Sequence, residues 1–232
     1  MANKKVSNER RKELEQIDPF QQSLLDAVAW AKKYRTQLSL AAGAIVIIAV
    51  VVSGIMISFQ RSETNAALLL NKAVMHYSKA RADDPKKAYA AVENDFKTIF
   101  SDYSNTKAGH RAELKFARIC YDASLFDKSR KFYEKAFETF KSDPLMKNLI
   151  LAALGRVCIA EKDMKKAAEY FLEIDSGNTP LLKDEAEFNL AVMYEKEGKI
   201  EKSRKLYEKI VMNHTDSMYL PIADVRKDEV IK

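Results

Sequence analysis

The hydrophobic and polar positions of the chain follow three different patterns. Residues 19–35 carry apolar side chains at helical spacing, and Phe20, Leu24 and Val28 form one stripe. Residues 36–60 follow without a single charged side chain. The remainder alternates between segments with apolar positions three and four residues apart and short groups of turn residues. These patterns predict an all-α protein with a leader, one long apolar helix and a larger helical domain.

The uncharged segment 36–60 has the length and composition of a transmembrane helix. About 20 apolar residues cross the hydrocarbon core of a bilayer, and no ionised side chain opposes insertion here. One alternative is a buried helix of a soluble protein. Another is a cleaved signal peptide, but the apolar core is too long for one and no small-residue cleavage motif follows it. The sequence therefore predicts a single uncleaved signal anchor.

The charges beside the anchor predict its orientation. Lys32, Lys33 and Arg35 precede it, whereas Arg61 is the only basic residue among the ten that follow. Because basic residues stay on the cytoplasmic side, the N-terminus is expected in the cytoplasm and residues 61–232 outside it. In a bacterium this means a single-pass protein of the inner membrane with a periplasmic domain.

The leader, residues 1–35, is expected to be disordered at first and helical at its end. Asp18 is a favourable N-cap and Pro19 a favourable first helical residue, so a helix is predicted over about 19–35. Its apolar stripe leads into a basic cluster, which indicates a helix lying at the membrane surface. Docking of the stripe onto a protein partner is the alternative.

The domain 61–232 contains an internal repeat. A small residue followed four positions later by an aromatic one occurs three times, 38 and 36 residues apart, as Ser129–Tyr133, Ala167–Phe171 and Ser203–Tyr207. Small residues in the preceding segments, which let two helices approach closely, repeat at the same offsets as Ala117, Gly155 and Ala191. The predicted helical hairpins cover about 63–103, 108–141, 146–176 and 182–214. A capping helix is predicted after them, over 219–231.

This spacing resembles the tetratricopeptide repeat, although Cys120 and Cys158 stand where the repeat has an aromatic residue. The resemblance implies an α-solenoid whose first helices line a groove for an extended or helical peptide. Alternatively, the groove is filled by the chain's own capping helix or is only solvated. Carried over from the repeat, the candidate groove residues are Arg111, Leu114, Arg118, Tyr121, Leu149, Arg156, Ile159, Phe188 and Glu195.

Composition and motifs indicate a protein without chemistry of its own. The net charge of +6 arises from 39 basic and 33 acidic residues spread along the chain, which does not favour nucleic-acid binding. The three histidines lack metal-ligand spacing, and no phosphate-binding glycine motif occurs. Cys120 and Cys158 are expected in the core, with a disulfide or a reactive thiol as alternatives. We therefore expect no metal, no cofactor, no small-molecule substrate and no enzymatic activity.

The layout of leader, anchor and degenerate repeat domain resembles the bacterial ancillary SecYEG translocon subunit family (YfgM-like). The resemblance implies a scaffold in the inner membrane that assists the hand-off of emerging chains to chaperones. The partners that it implies are translocon subunits, a periplasmic chaperone or prolyl isomerase, and unfolded client proteins. An adaptor for another envelope machine, in cell division or outer-membrane assembly, remains an alternative, and an enzyme with an unrecognised site a remote one.

Overall fold

The computed structural model describes residues 19–82 and 84–229. All of their regular structure is α-helical and none of these residues forms a strand, so the predicted all-α class is confirmed. Short connections join the ten helices of the described part, which are α1 (Pro19–Lys33), α2 (Arg35–Ala80), α3 (Pro85–Asp102), α4 (Lys107–Asp122), α5 (Phe126–Phe140), α6 (Pro144–Ala160), α7 (Met164–Ser176), α8 (Lys183–Lys196), α9 (Ile200–Asn213) and α10 (Leu220–Glu229).

The chain divides into two compact units, Met1–Phe59 and Gln60–Lys232. The smaller unit holds α1 and the first part of α2, where the apolar side chains from Leu40 to Phe59 are exposed. By length and composition, α2 is the one helix of the described residues that could cross a membrane, and an 18-residue stretch of it has a mean hydropathy of 2.8. Residues 1–18, including the predicted N-cap Asp18, lie outside the described part.

In the larger unit, the later part of α2 forms the first layer of the core. Its buried residues Ala66, Leu70, Ala73 and Tyr77 are spaced by four, three and four, which places them on one helix face. Side chains of α3 and α4, among them Phe96 and Phe116, join Leu70, Ala73 and Tyr77 in a common cluster. The later part of α2 and α3 thus begin the stack that the repeats continue.

The repeats pack as successive helix pairs, α4 with α5, α6 with α7 and α8 with α9, and each second helix also contacts the next first helix. Close approach is sharpest in the second pair. A Cβ atom added to Gly155 would lie 2.6 Å from the Phe171 ring, which is itself fully buried. The small residue of α6 therefore makes room for the aromatic residue of α7, as the spacing predicts.

Side-chain oxygens cap the N-termini of several of these helices. The Asp84 carboxylate accepts a 2.8 Å hydrogen bond from the Lys86 amide at the start of α3, and Asp143 caps α6 in the same way. Prolines follow both caps and occupy the first helical position, where no amide donor is needed. The caps satisfy amide groups that have no partner inside the helix.

The turn inside each repeat pair has one recurring conformation. Ser124, Lys162 and Gly198 are left-handed, with φ of 62°, 64° and 73°, and they are separated by the repeat offsets of 38 and 36 residues. The residue after each donates its amide to a carbonyl five positions earlier, at 2.8 to 2.9 Å. This is the Schellman arrangement at a helix C-terminus. In the third pair the left-handed residue is a glycine, and the other two pairs build the turn without one.

The last described helix, α10, packs against α9. Ala223 is fully buried there, in a cluster with Ala191, Tyr207 and Ile210. The outward side of α10 leaves Ile222 and Val225 exposed. Residues 230 and 231, which end the predicted capping helix, lie outside the described part together with residue 232.

Candidate functional site

The nine residues that the repeat pattern assigns to the groove all lie on the first helices α4, α6 and α8. We call the surface that they form the candidate groove. None of the nine is fully buried, so each has atoms at the surface. Their environments nevertheless differ. Some of the nine lie beside open space, which we call the free part of the candidate groove, and others are covered by the chain's own C-terminal segment.

Three of the predicted residues meet in one crevice. Arg118 and Tyr121 of α4 and Arg156 of α6 line it together with Tyr133 and Ala153. The Arg118 guanidinium lies 5.5 Å from the centre of the Tyr121 ring, a cation–π distance. Burial raises the pKa of Tyr133 to about 12, so its hydroxyl remains protonated at neutral pH. The five side chains close the crevice, which leaves no room for a water molecule, and Tyr133 and Ala153 are buried at its base.

A second opening lies between α6 and α8. It has a volume of about 180 Å³, enough for a single apolar side chain. Ile159 contributes to it from the predicted set, and Asn189 supplies a side-chain amide among the aliphatic walls. Lys196 and Glu197 stand at its edge. The apolar residues that line it are Ile159, Met164, Val192 and Met193.

The arginines of the candidate groove are each paired within the chain. The Arg111 guanidinium lies 3.4 Å from a Glu63 carboxylate oxygen, and Arg118 Nε lies 3.0 Å from Asp122 Oδ1. Arg156 forms an ion pair with Glu185, which is buried. Because their charge is balanced, these arginines do not form an open cationic patch. The binding capacity of the surface is therefore mainly apolar and aromatic.

The chain's own C-terminal segment covers the two predicted residues of α8. The Tyr219 ring stacks on Phe188 with ring centres 4.5 Å apart. Arg226 of α10 lies 2.6 Å from one carboxylate oxygen of Glu195. The Tyr207 hydroxyl donates a hydrogen bond to the other oxygen. At these two positions the chain itself occupies the surface, so they are not open to a ligand.

The two remaining predicted residues are at the edge of the free part. Leu114 is half-buried and packs against the core cluster that contains Tyr133 and Leu154. Leu149 is 43% exposed and lies one turn from the start of α6. The free candidate groove is therefore centred on the opening at Ile159, while the crevice at Tyr121 is closed.

Both cysteines are buried as free thiols. Burial raises the pKa of Cys120 to about 12 and also raises the pKa of Cys158, so neither is a thiolate at neutral pH. Among the described residues, no group of three or more His, Cys, Asp or Glu is placed to hold a metal ion. The thiols serve as packing groups in the first helices.

Sequence reasoning missed several residues that shape the free surface. Met164 is the first residue of α7, and Asn189 and Met193 occupy positions outside the groove pattern of the repeat. Their position beside Ile159 depends on how α7 and α8 pack around the end of α6. The role of Tyr219 had a weak sequence signal, since an aromatic residue begins the predicted capping helix.

Comparison with known proteins agrees with this architecture. The model of the tetratricopeptide repeat-like domain family matches residues 30–229. Among solved structures, the chain is similar to the crystal structure of BtubC (BKLC) from P. vanneervenii, with 13% sequence identity and a TM-score of 0.45, over 74% of this chain and 82% of that chain. Among curated proteins, none matches the chain significantly. Because the family model covers most of the sequence, the protein belongs to the tetratricopeptide repeat-like domain family, whose helical repeats are protein-interaction scaffolds.

Proposed function

We propose that the protein is a membrane-anchored scaffold that binds apolar segments of other proteins in its candidate groove. The observation that carries this proposal is the opening of about 180 Å³ beside Ile159, which no side chain of the described residues fills. Peptides that bind in such grooves insert apolar side chains at regular spacing. The methionines in its wall adapt to side chains of different shape. A scaffold with changing clients requires this tolerance.

The neutralised arginines support an apolar ligand over an acidic one. A peptide carboxylate would have to displace Asp122 from Arg118 or Glu185 from Arg156. Because each exchange replaces one ion pair by another, little free energy is gained. An apolar side chain that enters the opening at Ile159 displaces no ion pair of the described residues. We therefore assign the ligand as an extended or helical segment with apolar side chains.

In this proposal α2 anchors the scaffold in the inner membrane as a single span over residues 36–60. The exposed apolar surface of that segment and the basic residues before it support the assignment. With the N-terminus in the cytoplasm, residues 61–232 face the periplasm. The scaffold then stands where proteins emerge from the membrane.

The more specific role that we propose is that of an ancillary subunit of the Sec translocon. The layout resembles the YfgM-like family, and an apolar groove suits an unfolded chain or a chaperone. Periplasmic chaperones or a prolyl isomerase would receive the client from the translocon. An adaptor for cell division or outer-membrane assembly would use the same groove with other partners.

Photocrosslinking in living cells tests the groove and identifies its partner. A photoreactive amino acid replaces Tyr121, Ile159 or Val192 in the full chain, and the matched control position is the exposed Lys205 on α9. We expect adducts from the groove positions that contain a translocon subunit, a chaperone or an unfolded client, and none from position 205. An I159E variant should suppress the adducts formed from position 192.

Two results would contradict parts of the proposal separately. Equal crosslinking from position 205 and from the groove positions would remove the groove as the binding site. Groove-specific adducts with division or outer-membrane assembly proteins would keep the scaffold and replace the translocon by the alternative machine.

A further inference from the structure

Helix α1 exposes an apolar stripe in the smaller unit. The exposed fractions of Leu24, Leu25 and Val28 are 52%, 57% and 44%. In water, a helix of 15 residues gains most of its stability from packing such a stripe against another surface. The core clusters of the described residues contain none of these three side chains. The stripe therefore requires a partner from outside the described part of the chain.

Basic side chains mark one end of the same helix. Lys32 and Lys33 occupy the last turn of α1, and Arg35 begins α2. All three are exposed, and within the described residues no carboxylate forms an ion pair with them. Cations at a helix C-terminus also interact favourably with its dipole. The end of α1 nearest to the uncharged segment thus carries a positive charge that an anionic surface would neutralise.

Aromatic rings stand at the junction of α1 and α2. The rings of Trp30 and Tyr34 are 5.3 Å apart, and the Lys33 ammonium lies 5.5 Å from the centre of the Tyr34 ring. Trp and Tyr concentrate where a bilayer meets water, because their rings are apolar and their polar atoms seek hydrogen bonds. This junction therefore combines the aromatic and cationic groups that favour the headgroup region.

We propose that α1 lies in the cytoplasmic membrane surface and binds anionic phospholipid headgroups through Lys32, Lys33 and Arg35. This inference rests on the proposed anchor, which keeps the helix beside the bilayer. A protein groove would explain the stripe, but it would not explain why three cations and the Trp30–Tyr34 ring pair gather at the end adjoining the apolar segment. An anionic lipid surface explains the stripe, the rings and the charge together.

The expected preference for anionic lipid is large enough to measure. Each basic side chain near an anionic surface favours binding by about fivefold. Loss of Lys32 and Lys33 should therefore weaken the surface-bound state of α1 by roughly 25-fold in vesicles rich in phosphatidylglycerol. In vesicles of phosphatidylcholine the same loss should have little effect, because that surface carries no net charge.

A fluorescence experiment on the full chain places α1 relative to the bilayer. Trp30 is the only tryptophan, so the double change W30F and L24W moves the single reporter to the apolar stripe. Leu24 precedes Arg35 by eleven residues, so an upright helix would hold it about 16 Å beyond the start of α2. The reporter is reconstituted in vesicles with brominated acyl chains, which quench tryptophan only at the membrane.

Quenching of the reporter in phosphatidylglycerol vesicles, with weaker quenching in phosphatidylcholine, is the expected result. Adding K32Q and K33Q should remove the difference between the two lipids. The matched control K86Q and K87Q changes two adjacent exposed lysines of α3 and should leave the difference intact. Flotation of each sample with its vesicles after carbonate washing shows independently whether the chain is inserted in the bilayer.

Three results would overturn the inference. An unquenched reporter in vesicles that carry the floating chain would mean that α1 leaves the membrane, as it would when docked on a protein. Equal quenching in both lipids would remove the headgroup specificity. Failure of the chain to float would refute the anchor itself, and with it the proposed function, whereas the first two results leave that function standing.

Discussion

The fully buried Glu187 carboxylate gives the sharpest test of how the larger unit is stabilised. Its oxygens lie 2.9 Å from Lys209 Nζ and 3.2 Å from His214 Nε2. Lys209 also lies 2.5 Å from Asp175 Oδ1. The change K209M removes the ammonium group but keeps an apolar side chain of similar length. The carboxylate then retains His214 as its neighbour and loses its permanent cation.

The geometry sets the size of the effect. Two unit charges 2.9 Å apart interact by about 6 kcal/mol at an effective dielectric constant of 20. The Lys209 side chain is 37% exposed and keeps part of its hydration, which reduces the net value. We expect K209M to lower the free energy of unfolding by about 3 kcal/mol at pH 7, in the range for breaking a buried pair. The corresponding fall in melting temperature is about 6–12 °C.

The effect depends on pH with a definite sign. Burial raises the pKa of Glu187 above its usual value of 4.5, while Lys209 and His214 act to lower it. A raised pKa stabilises the fold below pH 4.5, and this contribution is lost as the pH rises through the folded-state value. Without Lys209 the folded-state pKa rises further. The difference in stability between wild type and K209M should therefore widen above pH 4.5 and shrink below it.

Thermal unfolding of the full chain in a non-ionic detergent, followed by circular dichroism from pH 4 to 8, measures both effects. K205M changes an exposed lysine of the same helix and should alter stability by less than about 0.5 kcal/mol. The double variant E187Q/K209M should recover most of the loss, because a neutral amide needs no cation. The reasoning is refuted if K209M resembles K205M at pH 7, or if its effect does not change with pH.

Three further predictions concern the turns, the helix contacts and the thiols. K162G should stabilise the fold by about 1 kcal/mol in the same melting assay, because the left-handed φ of 64° strains a lysine and not a glycine; a destabilised variant would contradict this. G155A should lower stability by about 1 kcal/mol, because its Cβ would meet the Phe171 ring. In an F171L background, where the ring is absent, the same change should raise stability, since alanine favours a helix more than glycine does. An effect of the same sign in both backgrounds would refute the packing argument. Cys120, buried and with a pKa of about 12, should resist alkylation at pH 8 until the chain unfolds, as mass spectrometry of native and denatured samples would reveal; rapid native labelling would contradict its burial.

The repeat offsets allowed much of the larger unit to be predicted from the sequence. Small and aromatic residues have distinctive sizes, so Gly155 and Phe171 mark a helix contact even in a single sequence. The turns were harder to predict. Gly198 signals a left-handed residue, but Ser124 and Lys162 adopt that conformation because the flanking helices require it. Only the offset to Gly198 could have indicated these two turns in advance.

The buried charges could not be predicted from composition. Glu113 and Glu187 are both buried and stand 74 residues apart, the sum of the two repeat offsets. Their cations Lys135 and Lys209 have the same separation and lie 2.8 and 2.9 Å from the carboxylates. In a helix sequence rich in Lys and Glu, nothing distinguishes such a pair from exposed ones. These pairs are buried because the second helix of each hairpin packs on the first, which only the folded structure reveals.

The candidate groove was predictable in position but not in occupancy. The repeat pattern placed all nine residues on first helices, because position along a hairpin fixes the helix. It could not indicate that Tyr219 and Arg226 would cover Phe188 and Glu195. Each of these contacts joins two residues 31 positions apart in the sequence, and both depend on how the chain turns after α9. The opening beside Ile159 likewise depends on how α6 and α8 approach each other, which the repeat pattern alone leaves undetermined.

The second repeat differs from its neighbours in a way that explains why the free surface lies there. At the position of Glu113 and Glu187 it has Leu151, so its core is bound by apolar contact and not by a buried ion pair. The small residue is Gly155, which brings α6 closer to α7 than an alanine would. Apolar contacts tolerate small shifts between helices, whereas a buried ion pair fixes both of its members. In the proposed function, an apolar contact between α6 and α7 in place of a buried ion pair would let the opening beside Ile159 adapt to different apolar side chains.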